Sequence, residues 1–243
     1  MTTRERADRL LVSRGLFESR ARAQAAIVAG LVTADGTVVR KPSEEISAAA
    51  IIAAQAEHPY VSRGGVKLAA VLDDFRVDVG GRACLDVGAS TGGFTEVLLI
   101  RGARRVYAID VGSSQLHPRL RERNDIVSIE QTDIRDLDPA VFSDRPDLAT
   151  VDVSFISLKH VLPAIGKLLP QRAQIVALIK PQFETARTHI KKGIVRDEAV
   201  QKAVCEDIAA HVESLGWRVG GAVASAIAGG DGNREFFIEA SRG

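Results

Sequence analysis

Cysteine is nearly absent. Cys84 and Cys205 are the only two in 243 residues. Two distant cysteines specify neither a disulfide framework nor a metal centre. No metal ion is expected, and a reducing cytoplasm is the expected location. Cys84 lies in an apolar stretch and reads as core packing. Long apolar runs are also missing: no segment of about 18 such residues exists, so no membrane-spanning helix is expected. The start, M-T-T-R-E-R-A-D, lacks the apolar region of a signal peptide. Net charge is close to zero, at +1, with 46% hydrophobic and 26% charged residues. That composition is ordinary for a soluble protein and allows one large domain plus one small one.

The charge that is present is unevenly placed. Residues 1–43 hold eight Lys/Arg against four acids, a local +4, which leaves −3 for the remainder. A basic small segment beside a mildly acidic large one suggests a polyanion-binding module joined to a catalytic body. A merely solvated basic face is the alternative.

The most informative stretch is R-A-C-L-D-V-G-A-S-T-G-G-F-T, residues 82–95. An apolar run ends at Asp86, glycines follow at 88, 92 and 93, and a helical pattern starts at Phe94. Strand, glycine turn and helix form the first unit of a nucleotide-binding α/β fold. The dinucleotide pattern G-x-G-x-x-G is not met, because its first glycine is missing and the string starts from a carboxylate. An acid there disfavours a pyrophosphate and tolerates a cation, which fits the sulfonium and amino group of S-adenosylmethionine. The next strand, R-R-V-Y-A-I-D, ends at Asp110, placed to accept from both ribose hydroxyls. A tight turn that binds nothing and a solvated strand-end Asp are the competing explanations.

Taken in order, residues 4–13 read as a short helix ended by Gly15, and Ser19 caps a second helix to Ala29 with Ala21, Ala25 and Val28 on one face. Leu31–Thr33 and Thr37–Val39 flank an Asp-Gly turn and form a hairpin. Gln55–Tyr60 reads as a linker and Ser62 as the cap of a helix to Phe75. Strands follow at Ile126–Ile129 (then Thr132-Asp133, facing the adenine), Asp147–Val153 and Ala173–Ile179. A helix spans Ser157–Leu169, and 184–196 is a basic, poorly patterned loop. Asp197 caps a long helix to Leu215, and the last strands are Trp217–Ala224 and Glu235–Ala240. This alternation implies an α/β fold: a mostly parallel, Rossmann-like seven-stranded sheet with its last strand antiparallel and ligands at strand carboxyl ends. Asp86, Asp110, Asp133, Asp152 and Lys180 fall on that edge. With an antiparallel last strand, Glu235 reaches it too, so Lys67, Asp152, Lys180 and Glu235 can converge.

The string from R-A-D-R-L-L-V-S-R-G to V-V-R-K-P resembles the S-four-type RNA-binding domain found in ribosomal small-subunit protein four and pseudouridine synthases. That resemblance implies an RNA surface using Arg14, Ser19, Arg20 and Arg22. The order Lys67–Asp152–Lys180–Glu235 around D-x-G-A-S-x-G-G-F resembles the FtsJ-like, heat-shock-type ribose 2′-O-methyltransferases. Together with Y-V-S-R-G-G-V-K-L, D-V-S-F-I-S-L, L-I-K-P-Q-F-E and G-N-R-E-F-F, the chain resembles the haemolysin A (TlyA) family of ribosomal RNA methyltransferases. The domains implied are 1–54 for RNA binding, 55–61 as linker and 62–243 for methyl transfer. The resemblance implies S-adenosylmethionine as cofactor, held by Asp86, Gly88, Ala89, Ser90, Gly92, Gly93, Phe94, Asp110, Thr132, Asp133 and Asp152. It implies a cytidine 2′-hydroxyl in ribosomal RNA or ribosomal subunits as acceptor, with Arg63 added to the RNA contacts. The family's Arg and Trp before S-R-G are replaced by His58 and Tyr60, which keeps an aromatic and loses a charge. Members with short ends resemble the type acting on large-subunit RNA alone, so that substrate is expected.

The chemistry agrees with the tetrad. A ribose hydroxyl attacks only after a base takes its proton. A lysine can serve where burial or a nearby cation favours its neutral amine, while adjacent carboxylates oppose that. Lys180 is assigned as base, Asp152 as its orienter, and Lys67 and Glu235 to holding the ribose. Two plain salt bridges at a sheet edge would use the same residues. An RNA base methyltransferase is a second possibility, although D-V-S-F has one aromatic and no prolines where such enzymes often stack a flipped base. A membrane-active haemolysin is a third, opposed by the lack of a spanning segment or strongly amphipathic basic helix. No membrane partner is expected, and nothing in the sequence specifies an oligomer.

Overall fold

The computed structural model describes residues 3–56 and 58–243. The chain divides into two compact units, Met1–Pro59 and Tyr60–Gly243. Among the described residues no helix is long and apolar enough to cross a membrane.

The first unit is β1 (Arg4–Arg6), α1 (Ala7–Ser13), α2 (Arg20–Val28), β2 (Val32–Ala34), β3 (Thr37–Val38), β4 (Glu45–Ser47) and β5 (Ile52–Ala54). The helix expected from residue 4 starts at Ala7, because Arg4–Arg6 pair with Glu45–Ser47 as an antiparallel ladder. β2 lies between β3 and β5, and Asp35 and Gly36 make the turn with positive φ at both, as a two-residue hairpin requires. Ser19 caps α2, but the buried face is Ala23, Ala26 and Ile27. Val28, expected inside, is 74% exposed. In R-A-R-A-Q-A-A-I-V small residues occur on every side, so periodicity does not single out a face. Leu10, Leu11, Phe17, Ile27 and Val32 complete a small core of this unit. The unit ends at Pro59, so Glu44, Glu45 and Glu57 belong to it. It therefore carries eight basic against seven acidic side chains, not the +4 of its first 43 residues.

The second unit opens with α3 (Arg63–Asp74), β6 (Ala83–Val87), α4 (Gly93–Ile100), β7 (Arg105–Ile109) and α5 (Pro118–Arg121). It continues through β8 (Ile126–Ile129), β9 (Leu148–Val151), α6 (Leu158–Leu168), β10 (Ala173–Ile179), α7 (Pro181–Glu184), α8 (Glu198–Ser214), β11 (Arg218–Ala224) and β12 (Phe236–Arg242). The seven strands run in the order β11-β12-β10-β9-β6-β7-β8. All neighbouring pairs are parallel except those of β12, which is antiparallel to both β10 and β11. The Rossmann-like sheet with an antiparallel last strand is thus the architecture observed.

Both faces of the central strands β6, β7, β9 and β10 are buried, which explains their nearly continuous apolar runs. Leu85, Val87, Tyr107, Ile109, Ile175 and Ala177 point to the side covered by α6 and α8. Cys84, Val106, Val176, Leu178 and Phe237 point to the side covered by α3 and α4. The alternation along each strand is the period of two. α3 approaches α4 closely because Gly64, Gly65 and Gly93 have no side chains. A Cβ on Gly65 would overlap the Tyr60 ring, and one on Gly93 would overlap Ser62 Oγ. Ser62 sits at the N-cap of α3 but makes no side-chain cap bond.

Candidate active site

The carboxyl end of β6 turns sharply at Gly88, whose φ is +81°. A Cβ there would overlap the backbone carbonyl of Asp152, so glycine lets the β6 and β9 strand ends meet. The amides of Gly88 and Ala89 both donate to Ile109 O, at 2.9 and 3.1 Å, which binds the loop to β7 as well. Gly92 takes φ +92° at the N-cap of α4.

Asp86 is not on this surface. It is fully buried and accepts from Thr95 Oγ1 at 2.6 Å and Thr150 Oγ1 at 3.0 Å. Burial pushes its carboxyl up to about 7. The sequence places Asp86 at a strand end, but strand parity turns it toward α4 rather than toward a ligand. Gly92 also departs from expectation. Its α-carbon packs on Leu116 and Leu120, where a Cβ would overlap, and it lines neither cavity described below.

Two adjoining cavities share Gly88, Ser90 and Asp152. The first, about 360 Å³, is walled by Ile109, Val111, Ile134, Val153, Phe155 and Ile156, with Asp110, Thr132 and Asp133 on its polar side. That volume lies in the range of small-molecule sites, and mostly apolar walls with few polar groups are usual for them. Asp110 is held by two backbone amides, Ser90 N and Gly112 N, each at 2.7 Å. Those bonds fix the carboxylate at the strand end and leave acceptor capacity for hydroxyls. Asp133 instead turns to Arg135 at 2.6 Å, and that guanidinium holds its carboxyl below the usual range. Thr132 Oγ1 donates to Glu130 O. Phe155 is 91% exposed with φ +64° and stands 5.1 Å from the Phe183 ring. A bulky residue at positive φ is a strained conformation of the kind found at functional sites.

The second cavity, about 370 Å³, is lined by Ser62, Arg63, Lys67, Ala89, Ser90, Gly93, Phe94 and Asp152, among others. Lys67 and Asp152 each bring one of the other two expected residues, so the four form two ion pairs. Lys67 Nζ donates to Glu235 Oε2 at 2.5 Å. Lys180 Nζ lies 2.6 Å from Asp152 Oδ1 and donates to Ser154 Oγ at 2.8 Å. Lys67 and Lys180 are each 9% exposed and Glu235 is 3% exposed. Gly229 lies over Glu235, with a would-be Cβ only 2.5 Å from Oε1. Asp152 Oδ1 is buried, and its partner is the Lys180 ammonium in that ion pair. Ser154, in the D-V-S-F string, is a site residue that the sequence does not single out.

Glu96, in the first turn of α4, is a further residue the sequence did not single out. Its Oε2 accepts from Val61 N at 2.6 Å and its Oε1 pairs with Arg119. Arg63 donates to Ala228 O at 2.9 Å, at the rim of the second cavity.

The expected RNA contacts of the first unit are mostly engaged. The Arg14 guanidinium donates to the carbonyls of Ala48 and Ala50, so it fastens the unit's own chain rather than standing free. Ser19 is spent on the α2 cap. Arg20 pairs with Asp8 at 2.8 Å, beside Arg6 and Gln24, and Arg22 donates to His58 O. Asp8 is fully buried, and Arg6, with Arg20 and Gln24, holds its carboxyl well below the usual range.

Residues 60–242 match the FtsJ-like methyltransferase family and residues 5–52 match the S4 domain. The chain is 43% identical over 241 residues to the 16S/23S rRNA (cytidine-2'-O)-methyltransferase TlyA of Mycobacterium tuberculosis, covering 98% of this chain and 90% of that protein. It is 37% identical to the 23S rRNA (cytidine-2'-O)-methyltransferase TlyA of Campylobacter jejuni, over 73% of this chain and 69% of that one. A solved chain from Streptococcus thermophilus, provisionally named a hemolysin, is 42% identical with a TM-score of 0.78, covering all of this chain and 90% of that one. The fold, the glycine loop and near full-length identity agree: the chain belongs to the TlyA family of FtsJ-like methyltransferases carrying an S4 domain.

Proposed function

We propose that the protein transfers a methyl group from S-adenosylmethionine to the 2′-hydroxyl of a cytidine in ribosomal RNA. The observation that carries this reading is that Lys67 and Asp152, one member of each lysine–carboxylate pair, line the cavity that adjoins the Asp110 pocket. The residues present suit the cofactor. Apolar walls and Thr132 take the adenine, Asp110 accepts from the ribose hydroxyls, and Asp152, which lines both cavities, faces the amino group. Gly88, Ala89, Ser90 and Gly93 leave room for the amino-acid portion, and Asp86 acts from beneath as the anchor of the loop. When bound, the cofactor supplies an electrophilic methyl on a sulfonium.

The chain's own residues then do the rest. Lys180 is the base that takes the 2′-hydroxyl proton as the ribose oxygen accepts the methyl group that the cofactor would supply. Asp152 and Ser154 fix the direction of Lys180 Nζ, and stabilise the ammonium that forms. Lys67, held by Glu235, donates to the ribose. Alignment of oxygen, carbon and sulfur supplies much of the acceleration. Arg20, Arg22 and Arg63 are assigned to RNA contact, and the ribosome-bound substrate places the enzyme in the cytoplasm. A ribose reading is favoured over base methylation because two lysine–carboxylate pairs suit deprotonation of a hydroxyl. Large-subunit RNA is placed first, since 23S rRNA is named for both TlyA relatives. Labelling of small-subunit particles as well would extend the substrate without changing the chemistry. Lys180→Met should keep cofactor binding and lose methyl transfer by about 10²-fold or more. Full activity in that variant would remove Lys180 from the mechanism.

A further inference from the structure

The exposed segment 185–196 carries Arg187, Lys191, Lys192 and Arg196 and no acid, and none of the four has an ion-pair partner among the described residues. Its tip is a tight two-residue turn. Lys191 N donates to Ile194 O at 2.9 Å and Ile194 N returns a bond to Lys191 O at 3.1 Å. Lys192 has φ +51° and Gly193 φ +79°, the left-handed pair of a type I′ turn. Lysine is uncommon there, and Lys191 and Lys192 are both exposed.

A four-cation loop repels itself and should not settle into one shape. Here its stem is fastened by two buried amides. Asn233, 1% exposed, accepts from Val195 N at 3.1 Å through Oδ1 and donates to Gly193 O at 2.8 Å through Nδ2. Gln201, in α8, donates to Val195 O at 2.8 Å. Asn233 stands two residues before Glu235, and its own carbonyl accepts from Gly229 N at 2.9 Å. The 228–235 segment that it closes lines the second cavity through Ala228 and Gly230 and packs Gly229 on Glu235. One side chain therefore joins the cationic turn to the segment that positions the Lys67–Glu235 pair.

We propose that Asn233 is a positioning residue that presents the Lys191–Lys192 turn to the phosphate backbone of the RNA substrate. It registers that contact against Glu235. The inference rests on the RNA methyltransferase reading. Phosphate contacts of this kind place a substrate without reading its sequence. Replacing both lysines should raise the RNA KM several-fold and leave cofactor affinity unchanged. It should also flatten the dependence of log affinity on log salt by roughly 1.4–1.8, the share of two phosphates.

The test is a double-mutant cycle in the full-length protein on ribosomal RNA. Its arms are Lys191→Ala/Lys192→Ala, Asn233→Ala and the combination, each measured for kcat, KM, cofactor affinity and salt dependence. Asn233→Ala should raise KM and flatten the salt dependence. Once the lysines are gone, it should add little further loss in KM, because the contact it presents is absent. Asn233→Ser, which keeps one hydrogen bond, should fall between wild type and Asn233→Ala, and serves if the alanine variant does not fold. Additive effects on KM, or an unchanged salt dependence in the lysine variant, overturn the proposal. So does an Asn233 variant that loses cofactor affinity as much as RNA affinity. If the wild type transfers no methyl group, the functional reading fails, while RNA affinity by filter binding across the same variants still decides this one.

Discussion

Asp86→Asn is the perturbation whose direction is most sharply set by the structure. Asp86 has no access to solvent, and its two oxygens accept from the hydroxyls of Thr95 and Thr150, with the Thr95 backbone amide beside them. Burial raises its carboxyl to about 7, against an ordinary 3.8. A group raised in the folded state binds more protons there than in the unfolded chain between those two values. Stability contributed by the neutral form is therefore present below about pH 4, is lost as pH rises toward 7, and is gone above it. At about 1.4 kcal/mol per unit, the full loss is on the order of 4 kcal/mol. Asparagine reproduces the neutral acid, with one N–H donor and one acceptor for the two threonines, and does not titrate. The assay is urea unfolding between pH 5 and 8, followed by Trp217, the single tryptophan, which is buried in the same unit. The Asn variant should gain on the wild type as pH rises and level off past 7. A difference that is flat over this range, or one in which the wild type gains with pH, would refute the argument that Asp86 is held neutral by burial.

Asp110→Ala should weaken S-adenosylmethionine binding by roughly 1.5–3 kcal/mol, the worth of charge-assisted hydrogen bonds, and calorimetry showing unchanged affinity would contradict its role. Gly65→Ala should cost about 1–3 kcal/mol, because the added Cβ overlaps the Tyr60 ring and α3 must shift from α4. An unmoved melting temperature would mean that the ring yields freely.

Much of the catalytic unit was legible because its central strands are buried on both faces and its elements end at clear stops. Ile126–Ile129 and Ala173–Ile179 were bounded by apolar runs and by polar or proline stops, and the structure has strands over those same residues. Asp197 as the cap of α8 followed from its position before a helical pattern, and it accepts from Ala199 N and Val200 N. That Lys67 and Glu235 can meet across 168 positions followed from the strand order with an antiparallel last strand and from the family resemblance, since no local pattern links them. Other features were hidden for physical reasons. β1 is three charged residues whose strand state comes wholly from β4, far along the chain. Arg14 looks like a free cation until Ala48 and Ala50 carbonyls fold over it. Asp86 sits at a strand end, and only the register of β6 with β9 shows that it faces Thr150 and the interior. Asn233 and Gln201 are single amides without a motif, and their partners are backbone groups that sequence does not display.

The central claim is the identity of the acceptor atom. Ribosomal RNA and purified subunits lacking the modification, incubated with the protein and methyl-labelled S-adenosylmethionine, can be digested to nucleosides and resolved by mass spectrometry. The account predicts label in 2′-O-methylcytidine, lost in Lys180→Met. Label on a nucleobase, or transfer undiminished by that substitution, would contradict it.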